Sequence, residues 1–289
     1  MEAVLSPNPE CATHAGDMYN STLGALLLGG FLYTALYGNT CTLIAGYFRQ
    51  CKQDRWPFRI LLVVLWMMTT ASIGLYIHSV YWFLVINFDN TAVINGDMPW
   101  TLLSQSALMG FMSFLVRCMF ARRLWRLSQY DFAITAGVIA LSAANLFSLT
   151  ILTVESITNL HSSGPGDLKK ILEAAFATSV AADVSLTAAL CYFLYRSRTH
   201  IRETDEVLSE LTLYTFNTGL LVVVDIVISL VLYLTSTTAS LVFIPTYIVS
   251  AVLYFNSFLL SLNARREFRD KLDNSIHVRR VSRSTPCTS

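Results

Sequence analysis

Charged residues are scarce in this chain. They make up 13% of its 289 residues, whereas hydrophobic residues make up 54%; an ordinary soluble domain is about 25% charged. A soluble protein of this composition would expose more apolar surface than it could keep dispersed, so the composition indicates a membrane protein. The net charge is only +1, and no nucleic-acid partner is predicted.

Motifs for metal binding and for catalysis are missing as well. The six cysteines show no CxxC pair and no Cys/His spacing typical of zinc. Of the five histidines, only His78 falls within an apolar stretch. The chain also has no glycine-rich phosphate loop, no nucleophile elbow and no loop long enough to form a soluble catalytic fold. The sequence therefore predicts no metal, no cofactor, no catalytic residue and no enzyme activity.

Seven apolar stretches each reach the length of about 20 residues with which a helix crosses the hydrocarbon core. The predicted spans are residues 22–48, 60–86, 101–121, 132–154, 171–195, 211–234 and 241–262. They predict an all-α fold, a polytopic bundle of seven transmembrane helices. Residues 1–21 would form a short extracellular tail, and residues 263–289 a basic cytoplasmic tail that includes a helix suited to the membrane surface.

Lysine and arginine are nearly absent from one side of these spans. Eighteen of the twenty lie on one side, and only Lys169 and Lys170 lie on the other. Because basic residues near span ends are retained in the cytoplasm, the amino terminus is predicted outside and the carboxyl terminus inside. This is the topology of seven-helix receptors. The last span has no lysine for a retinal Schiff base, however, and the third ends in Arg117-Cys118-Met119 instead of the acidic-Arg-aromatic triplet of rhodopsin-like receptors.

Ionisable side chains within the spans are few, and each is costly there. The sequence places Asp183 near the membrane midplane, Asp225 slightly further outward, and His78 and Gln105 in the outer third. No lysine or arginine is expected at the depth of either carboxyl. Each carboxyl must then be neutral, hydrogen-bonded to a polar side chain such as an asparagine, or open to a wet cavity.

Two interpretations of these residues stay open at this point. They either set the registry between helices, or line an outward-opening pocket that binds a cationic or polar ligand or relays protons. A second polar set (Arg117, Asn217 and Asn256) is predicted toward the cytoplasm, the end that would contact a signalling partner. Arg117 could instead extend its charge to the interface along its own stem.

Two short motifs predict covalent modification. Asn20-Ser21-Thr22 matches the acceptor pattern for N-glycosylation and lies on the predicted outer side. Arg279-Arg280-Val281-Ser282 is typical of a basic-directed kinase site, where phosphate on Ser282 would weaken attraction to anionic lipid.

Stripes of small residues run along the fourth and fifth spans at helical spacing. They comprise Ala133, Gly137, Ala140, Ala144 and Ser148, and then Ala174, Ala177, Ala181, Ser185 and Ala188. Small residues let helix backbones approach closely in a membrane. Packing within the bundle is the simpler interpretation, and a dimer face is the alternative.

Several segments, in order, resemble a large fungal family of membrane proteins. They are LGALLLGG with Tyr37-Gly38, FARRLWRLS from Phe120, DVSL to YRSRT from Asp183, LYTFNTGL from Leu213, and YFNS to LNAR from Tyr254. The family is abundant in basidiomycetes and is catalogued as an integral membrane domain of unknown function 6534. The resemblance covers roughly residues 20–266 and implies a seven-span membrane protein of fungal origin. The resemblance implies no ligand and no activity, but it strengthens Asp183, Asn217 and Asn256 as candidate functional residues.

These observations favour a receptor-like or sensor-like protein. It would bind a small ligand in the outer half of the bundle and contact a cytoplasmic signalling partner through its inner loops and tail. One alternative is a small-solute or proton-coupled transporter that uses the same carboxyls. Another is a structural or lipid-organising membrane protein without a ligand.

Overall fold

The computed structural model of the chain describes residues 9–50, 56–87, 99–127, 132–158, 165–196, 202–235 and 242–284. Within these ranges the chain forms seven α-helices and no strand, which confirms the all-α prediction. The helices are α1 (Pro9–Gln50), α2 (Trp56–Tyr81), α3 (Trp100–Leu127), α4 (Phe132–Thr158), α5 (Pro165–Arg196), α6 (Arg202–Thr235) and α7 (Phe243–Ser284). A single π-helical turn, Trp82–Ile86, extends α2.

Five of these helices are long and apolar enough to cross a membrane. The five stretches are Trp56–Ile86, Trp100–Arg126, Ala133–Ser156, Lys170–Phe193 and Phe243–Asn263. The described part of α6 contributes a shorter apolar stretch, Gly219–Thr235, and α1 is not among the five. Helices of this length and hydropathy are suited to a bilayer, so the chain is an integral, multi-pass membrane protein.

The helices form a ring in chain order, which contacts between α1 and α7 close. Helices α3 and α7 also touch each other across the ring. The membrane stretch of α7 is 67% buried, whereas those of α2 and α4 are 28% buried. Helix α7 is therefore the central helix of the bundle, and α2 and α4 present most of their surface outward.

Arginines gather at one end of the bundle. Arg49 lies in the last turn of α1, Arg126 in that of α3 and Arg196 in that of α5. The Arg59 guanidinium, near the start of α2, lies 5.5 Å from the ring centroid of Phe48 on α1, which brings those two helix ends together. We call this the basic end of the bundle, and the other the opposite end.

The buried face of α2 changes character along its length. Its buried residues recur every three or four positions: Leu62, Leu65, Thr69, Ser72, Tyr76 and Ser79. This is the spacing of one face of a helix. Leucines fill the interior toward the basic end, where they join a large apolar cluster. Hydroxyl-bearing side chains fill it toward the opposite end, so the interior of that half is more polar.

Helices α1, α6 and α7 run furthest beyond the spans predicted for them. Helix α1 begins at Pro9, α6 begins at Arg202 and α7 continues to Ser284. Residues 263–284 contain no proline or glycine and are rich in good helix formers, so nothing in the sequence ends the helix at residue 262. The helical part of the tail is therefore continuous with α7. Its position at a membrane surface stays a prediction.

The small-residue stripes of α4 and α5 mostly face away from the bundle. Eight of the ten residues are exposed, and Ser148 and Ser185 are half-buried. The buried face of α4 instead comprises Thr135, Val138, Ser142, Asn145, Leu149 and Thr153. The interpretation of these stripes as packing within the bundle is therefore wrong, because larger residues fill the interior. A dimer face stays a prediction.

Candidate functional site

A buried ion pair joins α3 to α5 in the middle of the bundle. The Arg117 Nε lies 2.9 Å from Asp183 Oδ1, and Arg117 Nη2 lies 3.1 Å from Asp183 Oδ2. The two side chains are only 2% and 1% exposed. Two parallel N–H···O bonds to a carboxylate are the strongest arrangement that an arginine can make. The pair therefore fixes α3 and α5 against each other.

Neutral polar groups complete the surroundings of this pair. Arg117 Nη1 donates to Asn145 Oδ1 on α4 at 3.0 Å, and Nη2 also donates to Ser179 Oγ at 2.8 Å. Asn145 Nδ2 in turn donates to the backbone oxygen of Ala175 on α5 at 2.8 Å. The Arg117 guanidinium also lies 5.3 Å from the ring centroid of Tyr254 on α7. Such a fully bonded pair offsets much of the penalty of burying two charges.

The position of Arg117 contradicts two sequence-based predictions. An arginine does lie at the depth of Asp183, and Arg117 does not extend its charge to the interface. Helix α3 continues to Leu127, well past the predicted span end at residue 121. Arg117 and Asp183 lie at similar distances from the first residues of their helices, Trp100 and Pro165, which places them at the same depth.

A second polar group lies between α1, α2 and α3 in the opposite half. Gln105 is 1% exposed, and its Nε2 donates to Ser72 Oγ at 3.4 Å. The Tyr33 side chain is fully buried beside Ser72. Gln105 Oε1 has no hydrogen-bond partner, and the Tyr33 hydroxyl, although it lies near Ser72, makes no hydrogen bond of good geometry. We call Tyr33, Ser72, Tyr76 and Gln105 the Gln105 cluster; Tyr76 donates to the backbone oxygen of Leu26 at 2.6 Å.

His78 lies at the edge of this cluster and is exposed. Its Nδ1 is 3.3 Å from Thr101 Oγ1, which also bonds Ser79 Oγ at 2.9 Å. His78 on α2 and Gln105 on α3 thus belong to two helices that pack against each other. Asp183 does not join them, because it is engaged by Arg117.

Asp225 has a different environment from Asp183. It is half-buried on α6, and its Oδ2 is buried without a hydrogen-bond partner. Its backbone oxygen accepts a bond from Ser229 Oγ at 2.9 Å. The two carboxyls that the sequence grouped together are therefore chemically distinct, one paired with a cation and one not.

Asn256 ties the central helix α7 to α1. Thr40 Oγ1 donates to Asn256 Oδ1 at 2.7 Å, and Asn256 Nδ2 donates to the backbone oxygen of Leu36 at 3.0 Å. Asn256 was predicted to accompany Arg117 and Asn217. It instead bonds α1, while Arg117 bonds α4 and α5. The side chain of Asn217 lies outside the described residues, as do those of Asn20 and Ser282.

Substituting Asn256 by leucine is expected to destabilise the bundle by about 1 kcal/mol, since a buried interhelical hydrogen bond in a membrane contributes about that much. The variant's thermal unfolding midpoint should fall, and Thr40→Val added to it should cause little further loss. Asn39→Leu is the matched control, because Asn39 is exposed on the same helix as Thr40. Full additivity of the Thr40 and Asn256 substitutions would contradict the assigned contact.

A mostly apolar groove opens toward the basic end of the bundle. It is small and is lined by Phe120, Leu186, Thr187, Leu190, Gly219, Val222, Tyr254 and Ser257. This lining suits lipid chains better than a charged ligand. Over the described ranges, no three His, Cys, Asp or Glu side chains come together as a metal site would require.

Several of these residues escaped the sequence-based prediction. Tyr33, Ser72 and Ser179 were not singled out because uncharged hydroxyls are common in membrane helices. One signal was available: the polar residues of α2 from Thr69 to Ser79 repeat at helical spacing inside an otherwise apolar stretch. That repeat identifies the polar face of α2, but not the residues opposite it.

Comparison with known proteins finds one family profile that matches part of the chain, and that profile has no known function. Residues 179–267 match the profile described as "Family of unknown function (DUF6534)". The matched segment includes Asp183, Asp225 and Asn256 and excludes Arg117 and Gln105. No curated protein and no solved structure matches the chain.

Proposed function

We propose that this membrane protein is receptor-like or sensor-like and binds a small ligand at the Gln105 cluster. The observation that supports this proposal is the pair of buried, unpartnered polar atoms, Gln105 Oε1 and the Tyr33 hydroxyl. A buried polar atom without a partner costs about 1–3 kcal/mol. A ligand that entered between α1, α2 and α3 could offset that cost by bonding both atoms.

The chemistry of the cluster narrows the class of ligand. Gln105 Oε1 accepts a hydrogen bond and the Tyr33 hydroxyl can donate one. No charged side chain takes part in the contacts given above for the cluster. The arrangement therefore favours a neutral ligand with a hydroxyl or amide group over the cationic ligand that two unpaired carboxyls would have attracted.

Helix α3 offers a physical connection from this cluster to the rest of the bundle. It carries Gln105, then Arg117 in the central ion pair, and then Arg123, which bonds Ser261 of α7 near the basic end. A ligand that shifts α3 would act on each of these contacts in turn. By the distribution of its arginines, the basic end would face the cytoplasm, where a signalling partner could bind.

Ligand-dependent stabilisation tests this proposal. Purified protein in nanodiscs would be screened with small neutral alcohols and amides by its thermal unfolding midpoint. A compound that stabilises the wild type should lose about five- to tenfold in affinity for Gln105→Leu, because a hydrogen bond of about 1–1.5 kcal/mol is removed.

Tyr37→Phe is the matched control for Tyr33→Phe, because Tyr37 lies on the same helix and its hydroxyl bonds Thr70 at 3.0 Å. The stabilising compound should retain its effect on Tyr37→Phe and lose it on Tyr33→Phe. Equal stabilisation of Gln105→Leu and the wild type would refute the assigned site. A panel that stabilises nothing would count against a receptor of this ligand class.

A transporter is the second candidate function, and the unpaired carboxyl of Asp225 is the observation that favours it. Such a group at membrane depth is typical of proton relays and ion pathways. Solute uptake into liposomes that is abolished by Asp225→Asn would favour this candidate. A structural or lipid-organising role predicts instead that none of these substitutions changes a ligand or transport signal. Under all three proposals the protein is not an enzyme.

A further inference from the structure

Asp225 lies at the border between the buried and the lipid-facing sides of α6. Val222, Ile226 and Ser229 form the buried face of this helix. Large apolar side chains on the other side are exposed, namely Leu221, Val224, Val227, Ile228 and Val231. Asp225 is half-buried between these faces. Its Oδ2 atom is therefore buried against the bundle, while the rest of the side chain borders the apolar outer face of the helix.

Two contacts between α5 and α6 set the depth of Asp225. A Cβ on Gly219 would lie 2.8 Å from Thr187, and the ring centroids of Tyr233 and Phe176 are 5.6 Å apart. These contacts lie on either side of Asp225 along α6 and on either side of Asp183 along α5. Asp225 is therefore at about the level of the central ion pair, deep within the bundle.

The ionisable groups on the packed neighbours of α6 leave Asp225 without a counter-charge. Helix α6 packs against α5 and α7. At this level α5 contributes Asp183, which is already bonded to Arg117, and α7 contributes Tyr247 and Tyr254. Neither these groups nor any other described side chain hydrogen-bonds Asp225 Oδ2.

An ionised carboxylate in this position would place a partly buried charge beside apolar side chains, with no described cation or hydrogen-bond donor at its buried oxygen. Isolated buried charges are strongly unfavourable, and such a group is more stable in its neutral form. Asp183 does not face the same cost, because the Arg117 guanidinium bonds both of its oxygens. Proton occupancy should therefore differ between the two carboxyls, although they share a depth.

We propose that Asp225 is a reversible proton-binding site within the membrane, separate from the Arg117–Asp183 pair. At neutral pH it holds a proton, and it releases that proton when the solution becomes alkaline. The site does not depend on a ligand at the Gln105 cluster.

Infrared spectroscopy of the protein in bilayers tests the proposal directly. A protonated carboxyl has a carbonyl stretching band that an ionised one lacks. The wild type at neutral pH should show such a band, and Asp225→Asn should lose it. Asp225→Glu should keep the band at a shifted position, and the band of the wild type should disappear at alkaline pH and return on neutralisation.

Glu155→Gln is the control for this experiment, because it removes a half-buried acid from α4 and should leave the band in place. The proposal is overturned if Asp225→Asn removes no carboxylic acid band at neutral pH. It is also overturned if the band persists at every pH, since a permanently bound proton is not a reversible site.

Chemical labelling of the wild type keeps the proposal testable even if Asp225→Asn fails to fold. Dicyclohexylcarbodiimide, which is lipid-soluble, reacts with protonated carboxyls in membranes. The acid proton moves to one carbodiimide nitrogen as the carboxyl oxygen bonds the central carbon; the acyl group then migrates to nitrogen, and no group leaves. Peptide mapping should find this adduct on Asp225 and not on Asp183. No adduct on Asp225, or equal labelling of both residues, would overturn the assignment.

Discussion

Replacing Arg117 by methionine is expected to destabilise the protein by about 3–5 kcal/mol. The substitution leaves the Asp183 carboxyl, which is 1% exposed, without its partner, and an uncompensated buried charge carries a penalty of this size. Asp183→Leu should be similarly damaging, because it leaves the guanidinium unpaired. The thermal unfolding midpoint and the fraction of monodisperse protein after extraction in detergent would measure the loss.

The double variant Arg117→Met/Asp183→Leu should recover much of that stability, because it removes both charges together. Arg117→Lys should be intermediate, since an ammonium group cannot bond both carboxylate oxygens in the planar geometry of a guanidinium. Arg122→Met is the control on the same helix, because Arg122 is exposed. If the double variant is as unstable as the sum of the single ones, the pair does not act as a unit.

Replacing Gly29 by alanine is expected to disrupt the packing of α1 on α7. The added Cβ would overlap Pro245 Cβ and lie 3.3 Å from Pro245 Cα. The Cβ belongs to the rigid proline ring and the Cα to the backbone, so the helices themselves must separate. Overpacking usually costs about 1–3 kcal/mol, and a contact that cannot relax by a side-chain rotation belongs at the upper end of that range.

Gly38→Ala on the same helix is the matched control, because nothing lies within 4 Å of the added Cβ. Alanine favours a helix over glycine by about 1 kcal/mol, so this control should be neutral or slightly stabilising. Both variants would be compared by their thermal unfolding midpoints. Equal midpoints for Gly29→Ala and Gly38→Ala would show that α1 does not approach Pro245 as closely as described.

The helical class of the fold could be predicted because it depends on local quantities. A run of apolar residues of sufficient length can satisfy its backbone in a bilayer only as a helix or within a closed barrel. That argument needs no knowledge of neighbouring helices. The ends of helices such as α6 and α7 were harder to predict. Polar residues such as those after Leu262 lie beyond the predicted span and still belong to the helix.

The candidate site could be predicted only in part. Asp183, Asp225, Gln105 and Asn256 stood out because polar groups at membrane depth are unusual, but their partners did not. The pairing of Arg117 with Asp183 joins residues that are 66 positions apart, and that of Asn256 with Thr40 joins residues 216 positions apart. Two side chains can pair only if the faces of the helices that carry them point toward each other. The position of a residue along the chain predicts its depth in the membrane, but not the direction in which its side chain points.

By itself, the sequence determined that this chain is helical, that it belongs in a membrane, and that its arginines lie at one end. Each of these properties depends on the composition of a segment of the chain and does not change with the way the helices pack. Only the tertiary structure decided that Arg117 neutralises Asp183, that Asp225 has no such partner, and that Gln105 and Tyr33 both approach Ser72. Those outcomes depend on distances of a few ångströms between different helices. The chemistry of a buried carboxyl changes completely with such a distance, because the membrane interior does not screen charge as water does.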